Sequence, residues 1–162
     1  MLSKKLEEEL NLQIMYEFYS GNYYLSMASF FLSKKLNGFA NFFFEQEKEE
    51  RNHAFKFLKF INEKEVKIEL RAIEKPKENF STTEEIFKLA YEHEQFVTKR
   101  INSLMDLAVK ENDHSVISFL KWFIDEQVEE EKSMLKIYKQ LSLINNDSAS
   151  LLFLDAALAS GK

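Results

Sequence analysis

The sequence has no cysteine, only one proline and three glycines, and no long apolar run. Without cysteine, the chain forms neither disulfides nor thiolate metal sites. Such a small number of proline and glycine residues is unusual for an all-β fold and favours long helices. No segment approaches the roughly 18 apolar residues that span a bilayer, and the N-terminus lacks the apolar core of a signal peptide. We therefore expect a cytosolic, helical protein that has no membrane partner.

Basic segments are also missing. The formal net charge is −5 and neither terminus carries a basic tail, which argues against a nucleic-acid partner and favours cations as ligands. The length of 162 residues suits one domain, and 16 phenylalanines are enough to fill a sizeable core. We expect a single domain over residues 1–162, with a bundle in residues 1–145 and a short helix in residues 146–162.

Apolar residues recur at helical spacing in four long segments and one short segment. This periodicity predicts helices over residues 3–35, 39–64, 81–110, 114–143 and 151–158. Ser3 is the expected N-cap of the first helix, and Ser81 or Thr82 that of the third. Asn37-Gly38 suits positive φ and is predicted to end the first helix.

The segment between the second and third predicted helices has a different pattern. Val66 to Ile73 alternates apolar and charged residues, which is typical of a strand. The link from Glu65 to Phe80 is too long for a tight turn, but it has the length to run back along the bundle. We therefore predict an all-α, antiparallel four-helix bundle with a long crossover that lets the second and third helices run parallel, followed by a short fifth helix.

Each long helix has an apolar stripe that polar residues interrupt near its middle. These interruptions are all residue types that bind metals, namely Glu17, Glu50, His53, Glu94, Gln127 and Glu130. Glu50 and His53 are three residues apart, so both lie on one face of a helix. At 1.5 Å per residue, the interruptions of each antiparallel helix pair fall within about 12 Å in height.

Carboxylates in a bundle core require compensation, because each unpaired buried charge costs several kcal/mol. Two divalent cations would neutralise four such groups. The pattern therefore predicts a dinuclear metal site midway along the bundle. The opposing interpretation is that helices rich in Glu and Lys carry many surface carboxylates that bind nothing. That interpretation has difficulty explaining why all four apolar stripes are interrupted at matching heights along the bundle.

With these residues, the chain resembles the non-haem bacterial ferritins over essentially its whole length. The resemblance rests on Glu17 and Tyr24, on the segments 49–53 and 91–95, and above all on residues 122–132. It implies an iron-storage ferroxidase that oxidises Fe(II) with O₂ or H₂O₂ and deposits ferric oxide inside a hollow shell. By the same resemblance, the shell is a homo-oligomer of roughly 24 subunits in cubic symmetry.

The resemblance also implies roles for the interrupting residues. Glu17, Glu50 and His53 would hold one iron. Glu50 would bridge to a second iron, which Glu94 and Glu130 also hold. Gln127 would lie close to this pair.

Further roles follow from the same family. Glu49, Glu126, Glu129 and Glu130 resemble a third iron site beside the pair, on the cavity side. Tyr24 resembles the aromatic residue next to the centre that can supply an electron, and the alternative for it is a core tyrosine with a satisfied hydroxyl.

Two departures from related families bear on the cofactor. Many di-iron bundles have a second Glu-x-x-His on the last long helix, where this chain has Gln127-x-x-Glu130. Haem-containing bacterioferritins have a haem-ligating Met directly after the bridging Glu, where this chain has Arg51. We therefore predict iron without haem.

Three alternatives remain at this stage. A di-iron peroxidase or oxidase of the rubrerythrin type would be supported by a cysteine-based rubredoxin domain, but the chain has no cysteine. A purely structural bundle would use its polar core for register and bind no metal. DNA-binding miniferritins place iron ligands between subunits and often have basic tails, so the complete ligand set and the negative charge argue against them.

The short fifth helix is apolar around nearly its whole circumference, with Asp155 as its only charge. A solitary surface helix would have one polar face. We therefore expect it to be buried on most sides by neighbouring subunits. The alternative is a tail that folds back on its own bundle.

Overall fold

Five α-helices account for most of the chain in the computed structural model, which describes residues 1–161. They are α1 (Lys4–Ser33), α2 (Asn37–Glu63), α3 (Thr83–Lys110), α4 (His114–Ile144) and α5 (Ser148–Ala159). No strand occurs within residues 1–161, so the expected all-α class is confirmed. In this described range, no helix combines the length and the apolar character that a membrane crossing requires.

Two of the predicted helix starts are confirmed by their caps. The Ser3 hydroxyl accepts a hydrogen bond from the backbone N–H of Leu6 at 3.1 Å. The Thr82 hydroxyl accepts one from Glu85 at 3.1 Å, and the Glu85 carboxylate in turn accepts the N–H of Ser81 at 2.6 Å. These bonds satisfy backbone N–H groups that the first helical turn cannot pair.

The break between α1 and α2 lies earlier than the predicted Asn37-Gly38. Lys35 takes the left-handed conformation with φ of 60°, while Asn37 and Gly38 already belong to α2. The N–H of Leu36 bonds to the carbonyl of Phe31, and that of Lys35 to Leu32, which is a Schellman motif. The prediction was wrong because a lysine rarely takes positive φ, yet the hydrogen bond of Leu36 and its packing against the bundle hold Lys35 there.

The crossover is extended, but it forms no strand, so the strand pattern of residues 66–73 was misleading. A side chain takes the place of a partner strand. Asn11, buried on α1, donates from Nδ2 to the carbonyl of Lys67 at 3.1 Å and accepts the N–H of Glu69 at 2.8 Å. Further along, Ser26 donates to the carbonyl of Lys77. The crossover is therefore held against the α1 face of the bundle.

Two apolar clusters fill the bundle, one at each end. One cluster joins the beginnings of α1 and α4 to the ends of α2 and α3, with Leu6, Val116, Ile61 and Leu104 among its members. The other joins the opposite ends, with Phe31, Met134, Phe39 and Phe87 among its members. Because α2 and α3 both begin in the second cluster and end in the first, they run parallel, as predicted.

Helix α5 crosses the end of its own bundle and covers only part of its apolar surface. Leu151, Leu154 and Leu158 pack against the second cluster. On the other side, Leu152 is 60% exposed and Phe153 is 75% exposed. Within one chain, the expected burial on most sides is therefore not reached, and one face of α5 folds back on the bundle.

Candidate metal centre

A layer of polar side chains separates the two apolar clusters. Its members come from all four long helices and none is more than 4% exposed: Glu17, Glu50, His53, Glu94, Gln127 and Glu130. They lie at the positions where the apolar stripes were interrupted in the sequence. The structure therefore buries all six predicted ligands at one level of the bundle, with Tyr24 fully buried beside them.

Glu17, Glu50 and His53 form a fully buried cluster in this layer. Each offers one ligand atom, and these atoms all lie within 4.8 Å of one another. His53 Nδ1 is 3.5 Å from Glu50 Oε2 and 3.8 Å from Glu17 Oε2.

Four polar atoms of this cluster have no hydrogen-bond partner among residues 1–161: Glu17 Oε2, both carboxylate oxygens of Glu50, and His53 Nδ1. A buried polar atom without a partner typically costs about 1–3 kcal/mol. Converging donors of this kind, oxygen and imidazole nitrogen together, are the ligand set of a transition-metal cation.

The other half of the layer is hydrogen-bonded. The Tyr24 hydroxyl donates to Glu94 Oε1, and Gln127 Nε2 donates to Glu94 Oε2 at 3.1 Å. Gln46 Nε2 donates to Glu130 Oε2 at 2.8 Å. Tyr24 is thus attached directly to one of the predicted ligands.

Burial controls the protonation of these carboxyl groups. It raises the pKa of Glu50 well above the ordinary value, with the charge of Glu94 adding to the effect. Burial likewise raises the pKa of Glu94 to about 7 and, together with neighbouring carboxylates, that of Glu130 to about 9. Without a cation, the layer therefore retains protons at neutral pH.

His53 and Glu17 behave in the opposite way. Burial alone would lower the pKa of His53, but the carboxylates of Glu17 and Glu50 raise it to about 11. Burial would raise the pKa of Glu17, but His53 and further hydrogen-bond donors lower it. A protonated His53 thus compensates the carboxylates until a cation replaces its proton.

The predicted third-site residues are more dispersed. Glu126 is half-buried and forms a second cluster with His53 and Glu130, whose ligand atoms again lie within 4.8 Å. Glu49 is exposed near Glu130, whose pKa it helps to raise. Glu129 faces Lys132 at 3.6 Å, with 68% of its side chain exposed.

Two aromatic neighbours border the layer. His93 directly precedes Glu94, so it points about 100° away around the helix and was not predicted as a ligand. It bonds through Nε2 to Ser20 Oγ at 2.7 Å, and burial lowers its pKa to about 4. Trp122 stacks edge-on against the His53 ring, with their centroids 5.4 Å apart, and the Lys56 ammonium lies 4.1 Å from the indole centroid.

Two glutamines that support the ligands were not predicted from the sequence. Gln13 donates to Glu17 Oε1 at 2.9 Å, and Gln46 donates to Glu130 as described. A signal was available, because Gln13 stands four residues before Glu17 and Gln46 stands four before Glu50. This spacing places each amide on the face of its helix that carries the ligand.

Comparison with known proteins agrees with this geometry. The family profile of the ferritin-like domain matches residues 7–144. The bacterial non-heme ferritin of Staphylococcus aureus is 42% identical over 151 residues, which cover 93% of this chain and 91% of that protein. The bacterial non-heme ferritin of Campylobacter jejuni is 38% identical over 155 residues, covering 96% of this chain and 93% of that protein.

The solved structures give the same result. An open-pore ferritin from the hyperthermophilic archaeon Archaeoglobus fulgidus superposes with a TM-score of 0.96 at 44% identity, covering 98% of both chains. An engineered closed form of that ferritin gives a TM-score of 0.95 at 45% identity, covering 98% of this chain and 96% of the other. Nothing among these relatives favours the rubrerythrin alternative. The chain belongs to the ferritin family, the iron-storage proteins that oxidise Fe(II).

Proposed function

We propose that this iron-storage ferroxidase oxidises Fe(II) at a dinuclear centre inside each subunit and stores the ferric product in a shell of identical subunits. The observation that carries this proposal is the group of unpartnered, buried ligand atoms on Glu17, Glu50 and His53. In a site whose substrate is a cation, these polar atoms would gain their partner when the ion binds.

Two Fe(II) ions would share the polar layer. Glu17, Glu50 and His53 would bind the first. Glu94 and Glu130, with Glu50 as the bridge, would bind the second, and Gln127 would remain close to it. Glu94 would exchange one of its two hydrogen bonds for the ion.

Charge supports the stoichiometry of two ions per subunit. Four ionised carboxylates, those of Glu17, Glu50, Glu94 and Glu130, carry a charge of −4, which two divalent cations neutralise. Because burial raises the pKa of three of these groups and His53 holds a proton, binding must release protons. Fe(II) binding should therefore strengthen as the pH rises towards neutrality.

Oxidation follows from the ligand type, since hard oxygen donors stabilise Fe(III) over Fe(II). Two Fe(II) ions lose one electron each. With two protons, these two electrons convert either O₂ to one H₂O₂ or H₂O₂ to two waters. The hydrogen bond from Tyr24 to Glu94 supports one of two roles for Tyr24, as the donor of a further electron or as a group that orients that carboxylate.

Storage requires a closed assembly, and α5 supplies a suitable surface. Its outer face exposes Leu152 and Phe153, which neighbouring subunits would cover. Full burial of one such side chain contributes about 1.5–3 kcal/mol. We propose a cage of roughly 24 subunits. Glu49, Glu126, Glu129 and Glu130 form a third iron site on the path from the paired centre.

The decisive experiment uses Glu50→Ala and His53→Ala, with Glu45→Ala as the matched control. Glu45 lies on the same helix but is exposed and paired with Lys48 at 2.6 Å. Both site variants should lose rapid Fe(II) oxidation while remaining helical, and the control should match the wild type. Wild-type oxidation rates in both site variants would overturn the proposed centre.

A second measurement addresses the assembly and the structural-bundle alternative. Metal analysis and light scattering of the purified protein before and after loading with Fe(II) should show a particle of several hundred kDa that fills with iron. A protein that stays small and acquires no metal would contradict storage.

A further inference from the structure

Glu17 is the only predicted ligand on α1, and its two carboxylate oxygens have different surroundings. Oε1 accepts a hydrogen bond from Gln13 Nε2 at 2.9 Å. Oε2 has no such partner and lies 3.8 Å from His53 Nδ1. Gln13 is itself completely buried. Its amide therefore decides which oxygen of Glu17 faces the cluster.

The orientation of that amide depends in turn on Arg100 of α3. Arg100 Nε donates to Gln13 Oε1 at 3.0 Å. The same guanidinium donates to Glu9 Oε2 at 3.1 Å and lies 4.4 Å from the ring centroid of Tyr16. Only 18% of the Arg100 side chain is exposed. Three contacts, all with residues of α1, thus hold the guanidinium in place.

Donor and acceptor chemistry allows this chain of bonds only one direction. A guanidinium has donors and no acceptor, whereas an ionised carboxylate has acceptors and no donor. Between them, Gln13 must turn its oxygen towards Arg100 and its NH₂ group towards Glu17. If Arg100 is removed, the Gln13 oxygen loses its partner in a buried position, and the amide is free to rotate away from Glu17.

From this geometry we propose that Arg100 and Gln13 are positioning residues that fix Glu17 to present Oε2 alone to the first metal ion. The proposal rests on the proposed ferroxidase centre and extends it to two further residues. Gln13 contacts Glu17 alone among the predicted ligands, and Arg100 acts on Glu17 only through Gln13. Groups behind a metal ligand typically change metal affinity by about 10–100-fold. The effect should concern the ion held by Glu17, since Gln13 contacts no other ligand in the structure.

The test is a double-mutant cycle on the assembled protein, with Gln13→Met, Arg100→Met and the combination. Methionine keeps approximately the length of Gln13 and the unbranched stem of Arg100, but it removes the hydrogen bonds. Binding of Co(II), used in place of Fe(II), is followed by absorption and calorimetric titration. Gln13→Met should weaken the first ion by about 10-fold or more, in the range that such supporting groups show, and leave the second unchanged.

The cycle distinguishes a relay, in which Arg100 acts on Glu17 through Gln13, from two independent contributions to metal affinity. Arg100→Met should also weaken the first ion, and the double variant should be no weaker than Gln13→Met alone, because Arg100 acts through Gln13. Arg100→Lys, which keeps a donor for Gln13, should bind the first ion more tightly than Arg100→Met. Glu8→Gln, the control, removes a charge from an exposed position on the same helix that pairs only with Arg71, and it should bind both ions like the wild type.

Several outcomes would overturn the relay: wild-type affinity in Arg100→Met, additive losses in the double variant, or equal weakening of both ions. They are separable from failure of the ferroxidase centre itself. If the wild type binds no Co(II), or if Glu50→Ala binds it unchanged, the centre is wrong. If the wild type binds two ions and Glu50→Ala does not, only the relay is at issue.

Discussion

The backbone of Asp155 in α5 lies directly against Gly38 in α2. A Cβ atom on Gly38 would be 1.8 Å from the carbonyl oxygen of Asp155. The Asp155 side chain accepts the N–H of Phe39 at 2.9 Å, at a helix start where Leu36 gives no side-chain cap. Asp155 thereby satisfies a free N–H group and places a negative charge at the positive end of α2. The lack of a side chain at Gly38 allows α5 to approach this closely, and Gly38 is not part of a turn.

Gly38→Ala should therefore displace α5. The added methyl group meets backbone atoms, which cannot rotate away, so α5 must shift and the Phe39–Asp155 hydrogen bond must lengthen. Overpacking of this kind costs about 1–3 kcal/mol. We expect a lower melting temperature and faster proteolysis near residues 145–148.

Gly21→Ala is the matched control, because a Cβ atom there would be no closer than 3.7 Å to its neighbours. Alanine is favoured over glycine in a helix by up to about 1 kcal/mol, so this variant should be as stable as the wild type or more stable. Equal melting temperatures for the two variants would show that α5 can shift without loss of stability.

Deletion of residues 148–162 tests the role of α5 in the assembly. The four long helices contain the whole polar layer, so the truncated protein should remain helical and oxidise Fe(II). It should assemble less stably or retain the iron core poorly, because the apolar surface of α5 is lost. The opposite result is a truncated protein that keeps the mass measured by light scattering, the melting temperature and the iron retention of the wild type. That result would show that contacts of α5 do not stabilise the shell.

Glu130→Gln should stabilise the metal-free protein at neutral and alkaline pH. Burial and neighbouring carboxylates raise the pKa of Glu130 from 4.5 to about 9. A group with a raised folded-state pKa loses its stabilising contribution as the pH climbs from the unfolded value towards the folded one. The slope is at most about 1.4 kcal/mol per pH unit.

Glutamine does not ionise, and its oxygen can still accept the hydrogen bond from Gln46. In urea unfolding with a chelator present, the stability advantage of Glu130→Gln should grow from pH 5 to pH 8. Added Co(II) should reverse the order, since the variant lacks one ligand. Parallel pH curves for the two proteins would mean that Glu130 does not titrate as described.

The proposed third iron site is tested by changing Glu49, Glu126 and Glu129 together to Ala. These residues border the paired centre without belonging to it, so two ions per subunit should still bind. The number of Fe(II) ions oxidised per O₂ should change, because iron leaving the centre loses its next site. Oxygen-electrode measurements with increasing Fe(II) give this ratio.

The control for this experiment is the triple variant of Glu45, Glu63 and Glu92 to Ala, three exposed carboxylates that do not belong to the polar layer. It removes the same charge and should keep the wild-type stoichiometry. If the two triple variants behave alike, the three residues of the proposed site are merely solvated.

Much of the architecture follows from the sequence because helices are local. Apolar periodicity, caps such as Ser3 and Thr82, and the turn at residues 145–147 all act within a few residues of the chain. The polar layer could also be predicted from the sequence, because a Glu or His that interrupts an apolar stripe lies on the same helix face as that stripe. Six ligands could therefore be predicted, and the structure buries all of them together.

The tertiary structure decided what depends on partners distant in the chain. Residues 66–73 have the pattern of a strand, yet Asn11 pairs with their backbone and no strand forms. Arg100 reaches Gln13 across 87 residues. Gly38 looks like a turn residue and proves to be the contact surface for Asp155. Periodicity specifies which face of a helix is buried, but only packing brings two faces together, and these pairings depend on that step.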